Sequence, residues 1–255
     1  MRGLNAGHEK EYSSWQNSMQ FMRNIVDDSE IDDEVRICIE YNIPLTSKRV
    51  DFIIAGADKA GNENIVIVEL KQWQKAEVVA DDMHYCVKTF IANTDRIVCH
   101  PSYQAYSYSC FLKNYSQSLT DESINLVPCA YLHNYQPEYR QTLSNPIYKE
   151  WFEVAPFFIK NEVAVFSDFV KKYITKKSSK GDLLYLIDHG RLRPTKALQD
   201  SLASMVKGNK EFMLLDEQAV CFDMCLKTMN QCLKDRKKRT IIIQGGPGTG
   251  KSVLA

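Results

Sequence analysis

Apolar positions recur along this chain with two periods, and the changes of period mark its elements. Between Glu9 and Val26 they fall at helical spacing, with Trp15, Met19, Met22 and Val26 on one stripe, which predicts an amphipathic helix. From Val35 the period shortens to two. Val35 to Ile43, Arg49 to Ala55 and Ile65 to Lys71 read as strands; the first two are joined by a Pro44-Leu45-Thr46-Ser47 turn, the last two by a polar loop through Asp58, Gly61 and Asn62. A hairpin is predicted within Tyr85 to Cys99. A helix follows from Pro101 to about Ser116, with Ser102 as its N-cap. Leu126 to His133 reads as a strand and Phe166 to Ile174 as a helix. Lys176-Lys177-Ser178-Ser179-Lys180-Gly181 has linker composition, and beyond it Leu183 to Ile187, Thr195 to Met205 and Asp216 to Leu233 are helical in pattern. A last apolar run, Thr240-Ile241-Ile242-Ile243-Gln244, predicts a strand.

This order predicts an α/β protein in three parts. Residues 1–175 are expected to form a mixed β-sheet flanked by helices and residues 176–210 a linker and helical connector, while residues 211–255, in which Gly245, Gly250, Lys251 and Ser252 follow the Ile241 run, resemble the first strand and phosphate loop of a RecA-like P-loop domain. A complete domain of that kind needs further parallel strands and a second acidic motif, so the chain reads as the front part of a longer protein.

Composition narrows the partners. With 44% hydrophobic and 25% charged residues the chain has enough apolar material for a sizeable core. Acidic and basic residues balance at 32 each, so any nucleic-acid-binding groove has to be local. Basic runs at Lys171-Lys172, Lys176-Lys177 and Lys234 to Arg239 read first as solvated faces and second as phosphate contacts. No N-terminal signal pattern or long apolar span is visible, so the expectation is a cytoplasmic protein with no membrane role. The eight cysteines lack CxxC spacing, which points to neither a zinc site nor a disulfide framework.

Two constellations carry chemistry. Gly245, Gly250, Lys251 and Ser252 fill the P-loop pattern G-x-x-x-x-G-K-[ST] after an apolar run, with Gly246, Pro247, Gly248 and Thr249 between them. Backbone N–H groups of such a loop cradle phosphates, the lysine adds a point charge, and the serine hydroxyl holds Mg²⁺ beside ATP. The plain alternative is a glycine-rich turn after a buried strand. The second constellation lies on the Arg49–Lys71 hairpin. Period two puts Asp51, Ile53 and Ala55 on one face, and Ile65, Ile67, Glu69 and Lys71 on the matching face of the partner. A hairpin symmetric about Ala60 sets Asp51 opposite Glu69, with Cβ atoms roughly 5 Å apart. Two carboxylates at that distance repel unless a cation or a proton lies between them. Mg²⁺ or Mn²⁺ is a suitable cation, since such ions take one or two carboxylates together with waters and phosphate oxygens. A structural salt bridge made by Lys71 is the alternative on spacing alone.

The residues around that hairpin bear a resemblance. Arg49-Val50-Asp51-Phe52 followed by Val66-Ile67-Val68-Glu69-Leu70-Lys71-Gln72-Trp73 resembles the core of the PD-(D/E)XK nuclease superfamily, although Val50 stands where that family often has proline. The resemblance implies a restriction-endonuclease-like fold, metal ligation by Asp51 and Glu69, activation of the attacking water by Lys71, and support from a helix-borne Glu11. Gln104-Ala105-Tyr106-Ser107-Tyr108 resembles the QxxxY motif of RecB-type nucleases, which adds Gln104 to the site; core packing is the alternative for Tyr108, and the favoured one for Phe111 and Tyr115. Phe212 to Gln218 is similar to a helicase Q-motif, in which Gln218 reads the adenine edge. The whole chain resembles bacterial proteins in which a nuclease-like domain precedes a superfamily 1-type helicase related to the helicase part of Schlafen proteins. That resemblance implies a nucleic-acid partner, DNA ahead of RNA, and a role in defence against foreign DNA. The competing expectation is an inactive nuclease fold that grips nucleic acid or a partner protein.

Overall fold

The computed structural model describes residues 18–28, 30–44, 46–79, 83–190, 213–246 and 251–254. It is an α/β structure built on a mixed five-stranded sheet. Residues 18–28 form helix α1. Strands β1 (Arg36–Asn42), β2 (Arg49–Ala57) and β3 (Glu63–Lys71) then run antiparallel. After an excursion the chain returns as β7 (Asn125–Leu132), parallel to β3, and as β8 (Phe157–Ile159), parallel to β7, so that the order is β1-β2-β3-β7-β8. Parallel pairing requires crossovers. The first contains a three-stranded antiparallel sheet, β4 (Ala76–Val78), β5 (Cys86–Ile91) and β6 (Thr94–Cys99), followed by helices α2 (Pro101–Tyr115) and α3 (Gln117–Asp121). The second contains the short helices α4 (Arg140–Leu143) and α5 (Lys149–Val154).

β2 and β3 are apolar on both faces because both are covered. Met22 and Ile25 of α1, with Phe166 and Val170 of α6 (Val163–Tyr173), pack against Phe52, Ile54, Val66 and Val68. On the other face Tyr108 and Leu112 of α2, with Leu183 and Ile187 of α7 (Leu183–His189), meet Ile53, Ala55, Ile65 and Ile67. A third core joins the small sheet to α5 and to the start of α8 (Glu217–Asp235) through Tyr103, Trp151, Leu214 and Ala219. The buried Asp223 of α8 fixes that contact by accepting the Tyr85 N–H at 2.8 Å.

Several expectations change. The N-cap of α2 is His100, whose Nδ1 accepts the Ser102 N–H at 3.2 Å; Ser102 is instead helical and fully buried. The stretch 240–246 has no strand, since it lacks a neighbouring strand to pair with among the described residues. Residues 176–181, of linker composition, are bonded to the sheet: Ala57 N–H donates to Lys176 O at 2.8 Å, and Ser179 N–H to Glu63 Oε1 at 2.9 Å. The Thr195 to Met205 helix and the first turns of the Glu9 to Val26 helix lie outside the described residues.

Gly56 is required by that edge contact. A Cβ there would sit 2.6 Å from the Lys176 carbonyl oxygen, and backbone cannot yield as a side-chain tip does. Gly56→Ala is therefore expected to destabilise the protein by about 1–3 kcal/mol, read as a lower thermal midpoint. An unchanged midpoint would mean that residues 174–176 are not pinned to β2.

Candidate active site

The β2–β3 register sets Phe52 opposite Val68 and Ile53 opposite Ile67, and one step further it sets Asp51 opposite Glu69. Both carboxylates stand on the sheet face that α2 covers. Glu69 is 3% exposed, because β3 is flanked by β2 and β7. Asp51 Oδ2 accepts the Leu70 N–H at 2.8 Å, and Lys71 Nζ donates to Glu69 Oε1 at 2.6 Å. On the outer side of Asp51 the β1–β2 ladder is interrupted at Glu40, whose φ of 56° is left-handed and whose carboxylate pairs with Arg49 at 2.7 Å.

Burial dominates the electrostatics. It pushes the Glu69 carboxyl up to about 8, helped by the charge of Asp51 and opposed by the Lys71 ammonium. Asp51 is raised too, again by burial, against the Lys71 charge and the Leu70 N–H. Burial works against the charged form of Lys71, but Glu69 and Asp51 outweigh it and its pKa rises. Burial thus favours the protonated form of both carboxyls, which relieves the repulsion between their facing charges.

Glu69 Oε2 is buried without a partner. An orphaned carboxylate oxygen beside a second carboxylate fits a hard divalent cation that keeps most of its waters. Asp51 and Glu69 are the residues that would hold it. Among the described residues no group of three or more His, Cys, Asp and Glu side chains gathers to hold a metal. Glu11 lies outside those residues.

Asp51 and Lys71 open onto a cleft of about 1360 Å³ between the main sheet and the small one. Lys88 and the exposed Phe90 line it from β5, and Lys71 Nζ lies 5.6 Å from the centroid of the Trp73 ring. From α2, Gln104 Nε2 donates to the Tyr108 hydroxyl at 2.9 Å, and that hydroxyl donates to Asp216 Oδ2 at 2.7 Å. Lys48 Nζ approaches the same Asp216 oxygen at 3.0 Å and Glu217 Oε2 at 2.5 Å. Asp216 and Lys48 were not expected here. The proximity of Lys48 to Asp51 in sequence was the one available signal, because Asp216 is remote in the chain and resembled part of an adenine-reading segment.

The remaining candidates lie elsewhere. Gln218 Oε1 accepts the Leu215 N–H at 3.0 Å. Gly245 and Gly246 are irregular, and Pro247, Gly248, Thr249 and Gly250 fall outside the described residues. Lys251 opens the short helix α9 (Lys251–Leu254), which includes Ser252, and its Nζ donates to the carbonyls of Gly245 and Gly246 at 2.9 and 2.6 Å. His100 is fully buried against Leu143 O and pushed down to about 4 by that burial, so it is a neutral structural residue.

Compared with protein-family models, with curated proteins and with solved structures, the chain finds no match. Among the described residues no helix is long and apolar enough to cross a membrane.

The raised carboxyl of Glu69 gives a testable linkage. Unfolded Glu69 releases its proton near 4.5 and folded Glu69 near 8, so between these values the folded state binds more protons and stability falls as pH rises. The thermal midpoint of metal-free protein is expected to drop across that window, and Glu69→Gln is expected to flatten the drop. Mn²⁺ or Mg²⁺ needs the pair ionised, so its binding is expected to release about one proton at neutral pH. Calorimetry in buffers of different ionisation enthalpy measures that proton, and a value of zero would contradict the raised carboxyl of Glu69.

Proposed function

We propose that this chain carries a metal-dependent nuclease domain of restriction-endonuclease-like fold, which hydrolyses phosphodiester bonds in nucleic acid, DNA ahead of RNA. We further propose that it is joined to the start of an ATP-dependent helicase domain, for which the Gly245–Ser252 motif is the support. The observation that carries the nuclease reading is the facing pair Asp51 and Glu69, with Lys71 beside it, at the wall of a cleft.

Asp51 and Glu69 hold Mg²⁺ or Mn²⁺ in this reading. Bound there, the cation supplies Lewis-acid polarisation of the phosphate and a nucleophile at neutral pH. Lys71 keeps its proton, since its pKa is raised; it therefore orients the attacking water and offsets charge developing on the phosphate rather than acting as a base. Gln104 acts through Tyr108, which it touches, and not on Glu69 directly.

A second reading, a nuclease fold that only binds nucleic acid or a partner, draws on the closed Lys71–Glu69 pair, which offsets the charge of Glu69 through Oε1 without a metal. Cleavage assays with Mg²⁺, Mn²⁺ and EDTA on linear, circular and single-stranded substrates separate the two. Asp51→Asn and Glu69→Gln are expected to abolish metal-dependent cleavage while the fold persists. Lys71→Ala is expected to lower kcat by about 10²–10³ with a smaller change in KM. Undiminished cleavage by Glu69→Gln would move the activity elsewhere, and nucleic-acid binding without cleavage would favour the second reading.

A further inference from the structure

Asp216 stands in an unusual way for a residue that opens a helix. An aspartate at an N-cap ordinarily turns its carboxylate back onto the first free N–H groups of its own helix. Asp216 makes no such bond, and its φ of 39° is one that non-glycine residues rarely adopt. Its carboxylate reaches away from α8, where Oδ2 receives the Tyr108 hydroxyl and the Lys48 ammonium. The segment carrying it is held from the other side as well: Tyr103 OH donates to Leu214 O at 2.7 Å, and Cys99 Sγ donates to Asp216 O at 3.1 Å.

The other oxygen, Asp216 Oδ1, is buried without a partner, as is Glu69 Oε2. The two carboxylates interact electrostatically, and the charge of Asp216 is also felt at Lys71. Asp216 thus adds negative potential behind the facing pair, and Lys48 offsets part of it.

We propose that Asp216 is a positioning residue of the nuclease site: its charge strengthens cation binding at Asp51 and Glu69, and its bond to Tyr108 holds α2 against them. This inference rests on the metal-site reading above. It makes the site dependent on the segment that leads into α8, which lies more than a hundred residues from β3 in sequence. Removing a group that supports metal ligands from behind typically weakens the metal by tenfold or more.

Mn²⁺ binding to the whole chain, followed by the electron paramagnetic resonance signal of free Mn²⁺, tests this without reference to turnover. Asp216→Asn keeps an oxygen for the Tyr108 hydroxyl and removes the charge together with its ion pair to Lys48; it is expected to weaken Mn²⁺ about tenfold in a protein that still folds. Lys48→Met leaves the Asp216 charge uncompensated and is expected to tighten Mn²⁺. These opposite signs separate a charge effect from loose packing, which would weaken binding in both variants. Should Asp216→Asn fail to fold, Lys48→Met carries the test alone. Wild-type affinity in folded Asp216→Asn, or weakening in Lys48→Met, would overturn the role of Asp216 while Asp51→Asn still abolished binding. Equal Mn²⁺ binding by wild type and Asp51→Asn would instead overturn the metal site, and this inference with it.

Discussion

Two carboxylates forced together at a buried strand end govern the rest of this structure. Asp51 and Glu69 meet because the β2–β3 hairpin is in register, and Glu69 loses water because β3 is a central strand covered by α2. Burying charge in this way costs several kcal/mol unless it is neutralised. The chain offsets it in three ways: burial raises the carboxyl pKa of the pair, Lys71 pairs with Glu69, and the Leu70 N–H donates to Asp51. The residues next to them in both strands, Val50, Phe52, Val68 and Leu70, are apolar, so the two carboxylates stand out as charge retained at a buried position.

The helices are arranged around that conflict. α1 and α6 close the face away from the carboxylates mainly with aliphatic and aromatic packing, with uncharged polar contacts at its margins from Ser18 to His133 and from Asn64 to Tyr173 O. On the carboxylate face, α2 contributes hydroxyl and amide groups among its apolar contacts, and the segment before α8 contributes an acid. Polar groups on this side form a connected chain from Gln104 through Tyr108 and Asp216 to Lys48, which ends in charged groups, whereas the chain Gln72–Ser18–His133 on the other side contains no carboxylate or ammonium.

Much of this was legible from residue order. The period-two pattern and the loop symmetry about Ala60 gave both strands and the facing of Asp51 and Glu69, because hairpin geometry is local. Short elements escaped: β4 and β8 have three residues each, too few to show a period, and α4 and α5 lie in a stretch of mixed polarity. The His100 cap was missed because imidazole is a less usual acceptor than the serine hydroxyl two residues on. The apolar run at 241–243 misled for a different reason: strand propensity is realised only when a neighbour offers hydrogen bonds. Asp216 and Lys48 could not be joined by pattern at all, since the seat they share is made by tertiary packing over 168 positions of chain.

The distances along the chain that separate these contacts also set an order of assembly. The β2–β3 turn is short, and hairpins of that kind close in roughly 1–10 μs. Tyr108 and Asp216 are 108 residues apart, and β3 finds β7 only after the intervening sheet and α2 have been accommodated. Low-separation contacts form early and high-separation contacts late. The carboxylate pair is thus a local contact, which a hairpin makes in water where repulsion is weak, whereas the elements that seal it from solvent close over long stretches of chain. The electrostatic cost of the centre is tied to those long-range contacts and not to the hairpin itself.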